Sequence, residues 1–130
     1  MAKPPRHEKF VMHSEKTIAI VDDDEGVRIS LASLLRSFGY RVSTYGSATA
    51  FLESGAKPDC MVVDIQMPAI RGDELQARLI ADGRLIPMIF MTAFPTDAVR
   101  DRVLAAGGRA FLEKPADSNV LLHEVERAVA

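Results

Sequence analysis

Five polar residues with the chemistry of phosphoryl transfer follow short apolar runs in this sequence. Asp22 and Asp23 follow "TIAIV", Asp64 follows "CMVV", Thr92 follows "MIFM", and Lys114 comes just after "AFL". Clustered carboxylates that stay ionised need a compensating cation, and an oxygen-only ligand set without His or Cys favours a hard ion such as Mg²⁺. A carboxylate can also be the nucleophile in phosphoryl transfer, while a hydroxyl group and an ammonium group can contact the phosphoryl oxygens.

The apolar runs themselves have the pattern of strands in a parallel sheet. From Thr17 onward, β-rich runs alternate five times with longer amphipathic segments, which is typical of an α/β fold. The pattern predicts strands at 17–21, 41–45, 60–63, 88–91 and 110–112, and helices that begin near Asp24 or Glu25, Ser47, Gly72, Asp97 and Ser118. In such a sheet the binding crevice lies beyond the carboxyl ends of the strands. The five polar residues are therefore expected to meet at one edge of the sheet.

Length and composition limit the classes of protein that the chain can belong to. The 130 residues suit one domain, and a net charge of -2 argues against a broad basic surface for nucleic acid. The chain lacks the apolar run of about 20 residues that a membrane helix needs and the apolar segment of a secretory signal. The lone cysteine, Cys60, cannot form an internal disulfide, so a cytoplasmic location is expected. Residues 1–15 are interpreted as a flexible N-terminal extension and residues 16–130 as the domain.

Four motifs together resemble the receiver domain of bacterial two-component response regulators over residues 17–129. They are "VDDDE", "VVDIQMPAIRGDEL", "FMTAF" and "FLEKP", each at the expected strand end. The resemblance implies a single doubly wound (βα)5 flavodoxin-like domain with a five-stranded parallel sheet in the order 2-1-3-4-5. It also implies that Asp64 is phosphorylated by a histidine kinase.

The resemblance assigns further residues to the metal and to the phosphoryl group. Mg²⁺ would be bound by Asp22, Asp23, Asp64 and the backbone carbonyl of Gln66. The phosphoryl oxygens would be contacted by Thr92 and Lys114, and the peptide bond from Lys114 to Pro115 is expected to be cis.

The resemblance also implies a conformational switch. Thr92 would move toward the phosphoryl group, and Phe111 would turn into the space that is freed, so that one local event repacks the surface from Asp97 onward. By the same resemblance, Gln66 and Phe94 occupy positions that are expected to tune the rate of hydrolysis. A bulky Phe94 predicts a shielded acyl phosphate with a long lifetime.

The predicted function is a signalling switch that catalyses only its own phosphorylation and dephosphorylation. The implied partners are a histidine kinase or histidine phosphotransfer protein and either an output partner or a missing C-terminal output domain. A homodimer through the surface formed by the last two helices and the last strand is also expected, without direct binding of nucleic acid. The alternative within this class is a receiver fragment of a larger DNA-binding transcriptional regulator.

Two other classes of protein are compatible with parts of the pattern. A phosphohydrolase of the haloacid dehalogenase type uses an aspartate nucleophile with a second acid two positions later, which Asp22 and Asp24 provide, but it needs a larger chain with a cap. A flavodoxin-like cofactor binder needs a Ser/Thr/Gly-rich phosphate loop after the first strand, which this chain lacks. Two further residues depart from the usual pattern of receiver domains. Asp73 is expected to face solvent early in its helix, and Gly108 has no functional interpretation.

Overall fold

The chain forms five strands and five helices within residues 15–130, which are the residues that the structure, a computed structural model, describes. The predicted extension, residues 1–15, lies outside the described residues except for Glu15. The strands are β1 (Thr17–Val21), β2 (Arg41–Tyr45), β3 (Cys60–Asp64), β4 (Met88–Thr92) and β5 (Ala110–Glu113). The helices are α1 (Glu25–Ser37), α2 (Ala48–Ser54), α3 (Gly72–Ala81), α4 (Asp97–Ala105) and α5 (Ser118–Val129).

The strands form one parallel sheet in the order β2-β1-β3-β4-β5, which confirms the predicted fold class and strand order. Every residue of β3 and β4 is buried, as the unbroken apolar runs predicted for central strands. Strand β2 lies at an edge and is mostly exposed. The order changes direction beside β1 and β3, so the crevice that such folds use lies at the carboxyl ends of these two strands.

Each face of the sheet has its own apolar layer because successive strand side chains point to opposite faces. Ile20 and Val62 pack with α1 and α5 on one face, where Leu35 and Val125 are fully buried. Ala19, Val63 and Phe90 pack with α2, α3 and α4 on the other face. Such burial contributes about 1.5–3 kcal/mol for each large apolar side chain. The two layers make a stable frame for the loops at the sheet edge.

Helix caps anchor the loops that follow the strands. The Asp24 carboxylate accepts a hydrogen bond from the Val27 backbone N–H at 3.0 Å, which assigns the third acid of "VDDDE" to the start of α1. Ser47 caps α2 in the same way, as its position in the sequence predicted. No helix within residues 15–130 is long and apolar enough to cross a membrane.

Two glycines are required by close approaches of the backbone. A Cβ at Gly72 would lie 2.3 Å from the backbone oxygen of Asp64, so only glycine lets α3 begin directly against the end of β3. A Cβ at Gly108 would lie 2.7 Å from the backbone oxygen of Val103 and 3.0 Å from the ring of Phe90. Close packing of this turn against α4 and β4 therefore explains Gly108, for which the sequence suggested no role.

Candidate functional site

Three carboxylates meet beyond the carboxyl ends of β1 and β3. One oxygen from each of Asp22, Asp23 and Asp64 lies within 4.8 Å of the others. Asp22 and Asp64 are buried, whereas Asp23 is exposed. Negative charges this close repel one another unless a cation or a proton compensates them. The oxygen-only donor set is consistent with binding of a divalent metal ion.

The loop after β1 holds Asp22 through its backbone as well as its side chain. Asp22 Oδ1 accepts from the Asp24 N–H at 2.9 Å, and the Asp22 N–H donates to the Tyr45 carbonyl at 3.1 Å. Arg28 Nη1 donates to the Asp22 carbonyl at 2.7 Å, and the same nitrogen would lie 3.3 Å from a Cβ at Gly46. Arg28 thus braces the loop that bears the acids. Nothing in the sequence singled it out, because an arginine on an amphipathic helix is usually solvated.

Lys114 supplies a fixed positive charge to the acidic site. Its Nζ lies 2.7 Å from Oδ2 of Asp22 and 3.4 Å from Oδ1 of Asp64. The Lys114 N–H donates to the Thr92 carbonyl at 2.8 Å, and the peptide bond to Pro115 is cis, as expected. The Lys114 ammonium group can therefore contact the Asp64 carboxylate and also a group that becomes bonded to this carboxylate.

The surroundings of Asp64 and Lys114 shift the pKa values of both side chains. Burial, and then the charge of Asp22, raise the pKa of Asp64 to about 6, although Lys114 and the Gln66 N–H act in the opposite direction. Burial would lower the pKa of Lys114, but its hydrogen bond to Asp22 and the charges of the two carboxylates raise it above the ordinary value. Lys114 therefore remains an ammonium group. Asp64, by contrast, retains a proton to higher pH than an exposed aspartate when no metal is bound.

Thr92 is linked to the acidic site through Gln66. Its hydroxyl group donates to Oε1 of Gln66 at 3.2 Å and accepts from the Phe94 N–H at 3.0 Å. The Gln66 N–H in turn donates to Oδ1 of Asp64 at 3.3 Å. Thr92 is 1% exposed. The sequence placed these residues at neighbouring strand ends but did not predict the bond between Thr92 and Gln66.

The two aromatic residues singled out by the sequence have different surroundings. Phe111, on β5, is half-buried and packs against the apolar layer that contains Phe90. Phe94 follows β4, and 72% of its surface is exposed. Phe111 therefore has a packed side and an open side, whereas the Phe94 ring lies mainly in solvent.

The expectation that Asp73 faces solvent is wrong. Its side chain is only 11% exposed and forms ion pairs with Arg71 Nε at 3.1 Å and with Arg102 Nη2 at 2.5 Å. Burial acts to raise the pKa of Asp73, but hydrogen bonds from Arg102 and Arg71 lower it below its ordinary value. Arg102 belongs to α4, so the acid joins the first turn of α3 to the neighbouring helix.

Residues 18–126 match the family described as the response regulator receiver domain, and the chain belongs to that family. The transcriptional regulatory protein FixJ of Azorhizobium caulinodans is 38% identical over 114 residues, covering 86% of this chain and 54% of that protein. The response regulator protein TmoT of Ectopseudomonas mendocina is 36% identical over 117 residues, covering 88% and 53%. The crystal structure of FixJ-N is similar with a TM-score of 0.80 at 35% identity, covering 88% of this chain and 93% of that one.

These matches confirm the resemblance on which the motif interpretation depended. The chain spans about half the length of the curated relatives that it matches. The family is a receiver family, and the match leaves the phosphohydrolase and the cofactor-binding alternatives without support.

Proposed function

We propose that residues 16–130 are the phosphoacceptor switch of a two-component phosphorelay. Asp64 accepts a phosphoryl group from a histidine kinase or a histidine phosphotransfer protein in a Mg²⁺-dependent reaction. The observation that supports this most strongly is the position of the Asp64 carboxylate, which is buried at the end of β3 between two further acids and the Lys114 ammonium group. A simple surface acid needs none of these neighbours.

The transfer exchanges one bond for another at phosphorus. An ionised oxygen of Asp64 bonds to phosphorus as the bond from phosphorus to the donor's imidazole nitrogen breaks, and the nitrogen keeps that electron pair. Asp22, Asp23, Asp64 and the backbone carbonyl of Gln66 would hold Mg²⁺, which would supply positive charge to the phosphoryl oxygens.

The chain's own side chains stabilise the product. Lys114 already lies 3.4 Å from Asp64, so its ammonium group can contact a phosphoryl oxygen with little movement. The Thr92 hydroxyl group donates a hydrogen bond to a second phosphoryl oxygen. Asp64 must be ionised to react, so a cation that compensates Asp22 and Asp23 also favours the nucleophilic form.

Phosphorylation is then transmitted to the surface formed by α4, β5 and α5. As Thr92 moves toward the phosphoryl group, Phe111 turns inward from its half-buried position, and the packing of this surface changes. FixJ is named a transcriptional regulatory protein and TmoT a response regulator protein, and this chain covers 54% and 53% of their lengths, which supports a cytoplasmic regulator with an output domain or partner. A homodimer through the same surface is compatible with this role. The net charge of -2 supports control of DNA binding without direct contact by this domain.

Acetyl phosphate provides a direct test of the phosphoacceptor. The chain is incubated with acetyl phosphate and Mg²⁺ and examined by intact mass spectrometry, where one phosphoryl adduct is expected. Asp64→Asn should abolish the adduct, and so should chelation of Mg²⁺ by EDTA. Asp82→Asn, which changes an exposed acid beyond α3, is the matched control and should retain it. An adduct that persists in Asp64→Asn would refute the assignment.

A further inference from the structure

The Thr92 hydroxyl group has a single proton to donate, and Gln66 accepts it. The acceptor is Oε1 of Gln66 at 3.2 Å, while the Phe94 N–H supplies a donor to the same hydroxyl oxygen at 3.0 Å. A threonine hydroxyl has one donor and two acceptor positions. Because Thr92 is 1% exposed, solvent offers its proton no ready alternative acceptor. The donor that a phosphoryl oxygen would require is therefore already engaged.

This engagement conflicts with the role of Thr92 in the proposed function, on which the inference rests. One proton cannot make a good hydrogen bond to Gln66 and to a phosphoryl oxygen at the same time. We propose that the Gln66 side chain is a positioning residue that acts as a brake: it retains the Thr92 hydroxyl group in the unphosphorylated domain and opposes the activated arrangement.

The surroundings of Gln66 make the brake releasable. Its side chain is exposed, so water can satisfy Oε1 once Thr92 leaves. The new acceptor of the Thr92 proton would be an ionised phosphoryl oxygen, and hydrogen bonds to charged groups are roughly twice as strong as neutral ones. Phosphorylation can therefore break the hydrogen bond from Thr92 to Gln66. Without phosphorylation, this bond is open in only a fraction of molecules.

Gln66 also connects the brake to the phosphoacceptor. The Gln66 N–H donates to Oδ1 of Asp64, two residues earlier, at 3.3 Å. A change of charge and bonding at Asp64 therefore acts on the backbone of the residue that retains Thr92. This backbone hydrogen bond does not depend on the Gln66 side chain. Substitutions at position 66 can therefore remove the side-chain contact with Thr92 and leave the backbone contact with Asp64 in place.

The test measures binding of beryllofluoride, which imitates a phosphoryl group on a carboxylate, in the presence of Mg²⁺. Gln66→Met retains the length of the side chain but removes the amide oxygen. A neutral hydrogen bond shifts an equilibrium by about two- to tenfold, so Gln66→Met should bind beryllofluoride about two- to tenfold more tightly.

A second background distinguishes a brake from a change in access to the site. In Thr92→Ala the hydroxyl group is absent, so Gln66→Met should give no gain, whereas in Thr92→Ser the gain should return. An equal gain in Thr92→Ala, or no gain in the native background, would overturn the brake. If the unmodified chain neither binds beryllofluoride nor accepts a phosphoryl group from acetyl phosphate, the proposed function fails and the brake fails with it. If the unmodified chain binds beryllofluoride and accepts the phosphoryl group, the proposed function stands, and the results for the variants then test the brake alone.

Discussion

The ammonium group of Lys114 donates to Oδ2 of Asp22 at 2.7 Å, across 92 positions of the chain. Lys114 is brought there by the loop after β5, and Asp22 by the loop after β1. Both side chains are largely shielded from solvent, at 17% and 3% exposure. The pair therefore offsets part of the negative charge of the acidic site when no metal is bound.

Lys114→Met should destabilise the metal-free domain. Removal of one partner leaves buried carboxylates without compensation, and because Lys114 keeps some contact with solvent we expect a loss of about 1–3 kcal/mol in the free energy of unfolding. Urea denaturation in EDTA measures this loss. Added Mg²⁺ should recover part of it. Lys57→Met is the control, since Lys57 is exposed, and should change the free energy by no more than about 0.5 kcal/mol. Equal effects of the two substitutions would mean that the Lys114 pairing adds no stability.

Asp64 should make the stability of the metal-free domain depend on pH. Its pKa is about 6 in the folded state and 3.8 without the fold's influence, so the folded state holds this proton more tightly. The contribution of Asp64 to stability therefore falls as pH rises from about 4 to about 6. Asp64→Asn removes that penalty, and at pH 7 in EDTA it should be more stable than the native chain by about 1–3 kcal/mol.

The same comparison at pH 4 separates charge from packing. The folded state then holds Asp64 protonated and the unfolded state holds it close to half protonated, so most of the advantage that Asp64→Asn has at pH 7 should be lost. Urea midpoints across pH 4–7 provide the measurement. A constant advantage over this range would show that packing, and not ionisation, is responsible.

Gly72→Ala should disrupt the start of α3 and the end of β3 together. A Cβ would lie 2.3 Å from the Asp64 backbone oxygen, so the backbone itself must shift, and a loss of more than about 3 kcal/mol is expected. Gly83→Ala is the control because it has open space but a φ of 74°. It should cost only about 1 kcal/mol from the left-handed backbone. Thermal unfolding of both variants measures the difference, and similar losses would refute the steric explanation.

The Asp73 to Arg102 ion pair should couple α3 to α4. A double-mutant cycle with Asp73→Ala and Arg102→Ala should give a coupling free energy of about 0.5–1 kcal/mol, since Arg102 is 58% exposed and solvent screens the pair. The pair of Glu124 and Arg127, within α5, is the control and should give about 0.2–0.5 kcal/mol.

The pH dependence of this pair follows from the lowered pKa of Asp73. The stabilisation is present above the ordinary aspartate pKa and is lost as pH falls through the lower folded value. Coupling no larger than that of the control pair at neutral pH would show that Asp73 does not join the two helices energetically.

Phe94→Ala should shorten the lifetime of phosphorylated Asp64. The substitution leaves the Phe94 N–H and its bond to Thr92 in place, so it removes only the bulk that is expected to limit the access of water. The rate of loss of the adduct in Mg²⁺, measured by intact mass over time, should rise several-fold. Phe94→Leu keeps most of the bulk and should stay close to the native rate. An unchanged rate in Phe94→Ala would refute shielding.

Much of the architecture could be predicted from local patterns. The unbroken apolar runs of β3 and β4 indicated central strands, and Asp24 and Ser47 stood where helix caps are expected. These signals are local because strand period and capping involve residues only a few positions apart. The acidic site could also be anticipated, since parallel strands place their carboxyl ends at one edge.

Which groups at that edge make contact depends on the tertiary structure. The pairing of Lys114 with Asp22, the bond from Thr92 to Gln66, and the brace from Arg28 depend on loop paths and side-chain rotamers that no periodicity encodes. Asp73 shows most clearly that local patterns do not predict contacts between distant segments. Its place in the first turn of α3 suggested exposure, but α4 packs beside it and delivers Arg102. Local sequence patterns specify the helices, the strands and the strand ends at which the acids lie, whereas the partners of these acids depend on packing between segments that are distant in the chain.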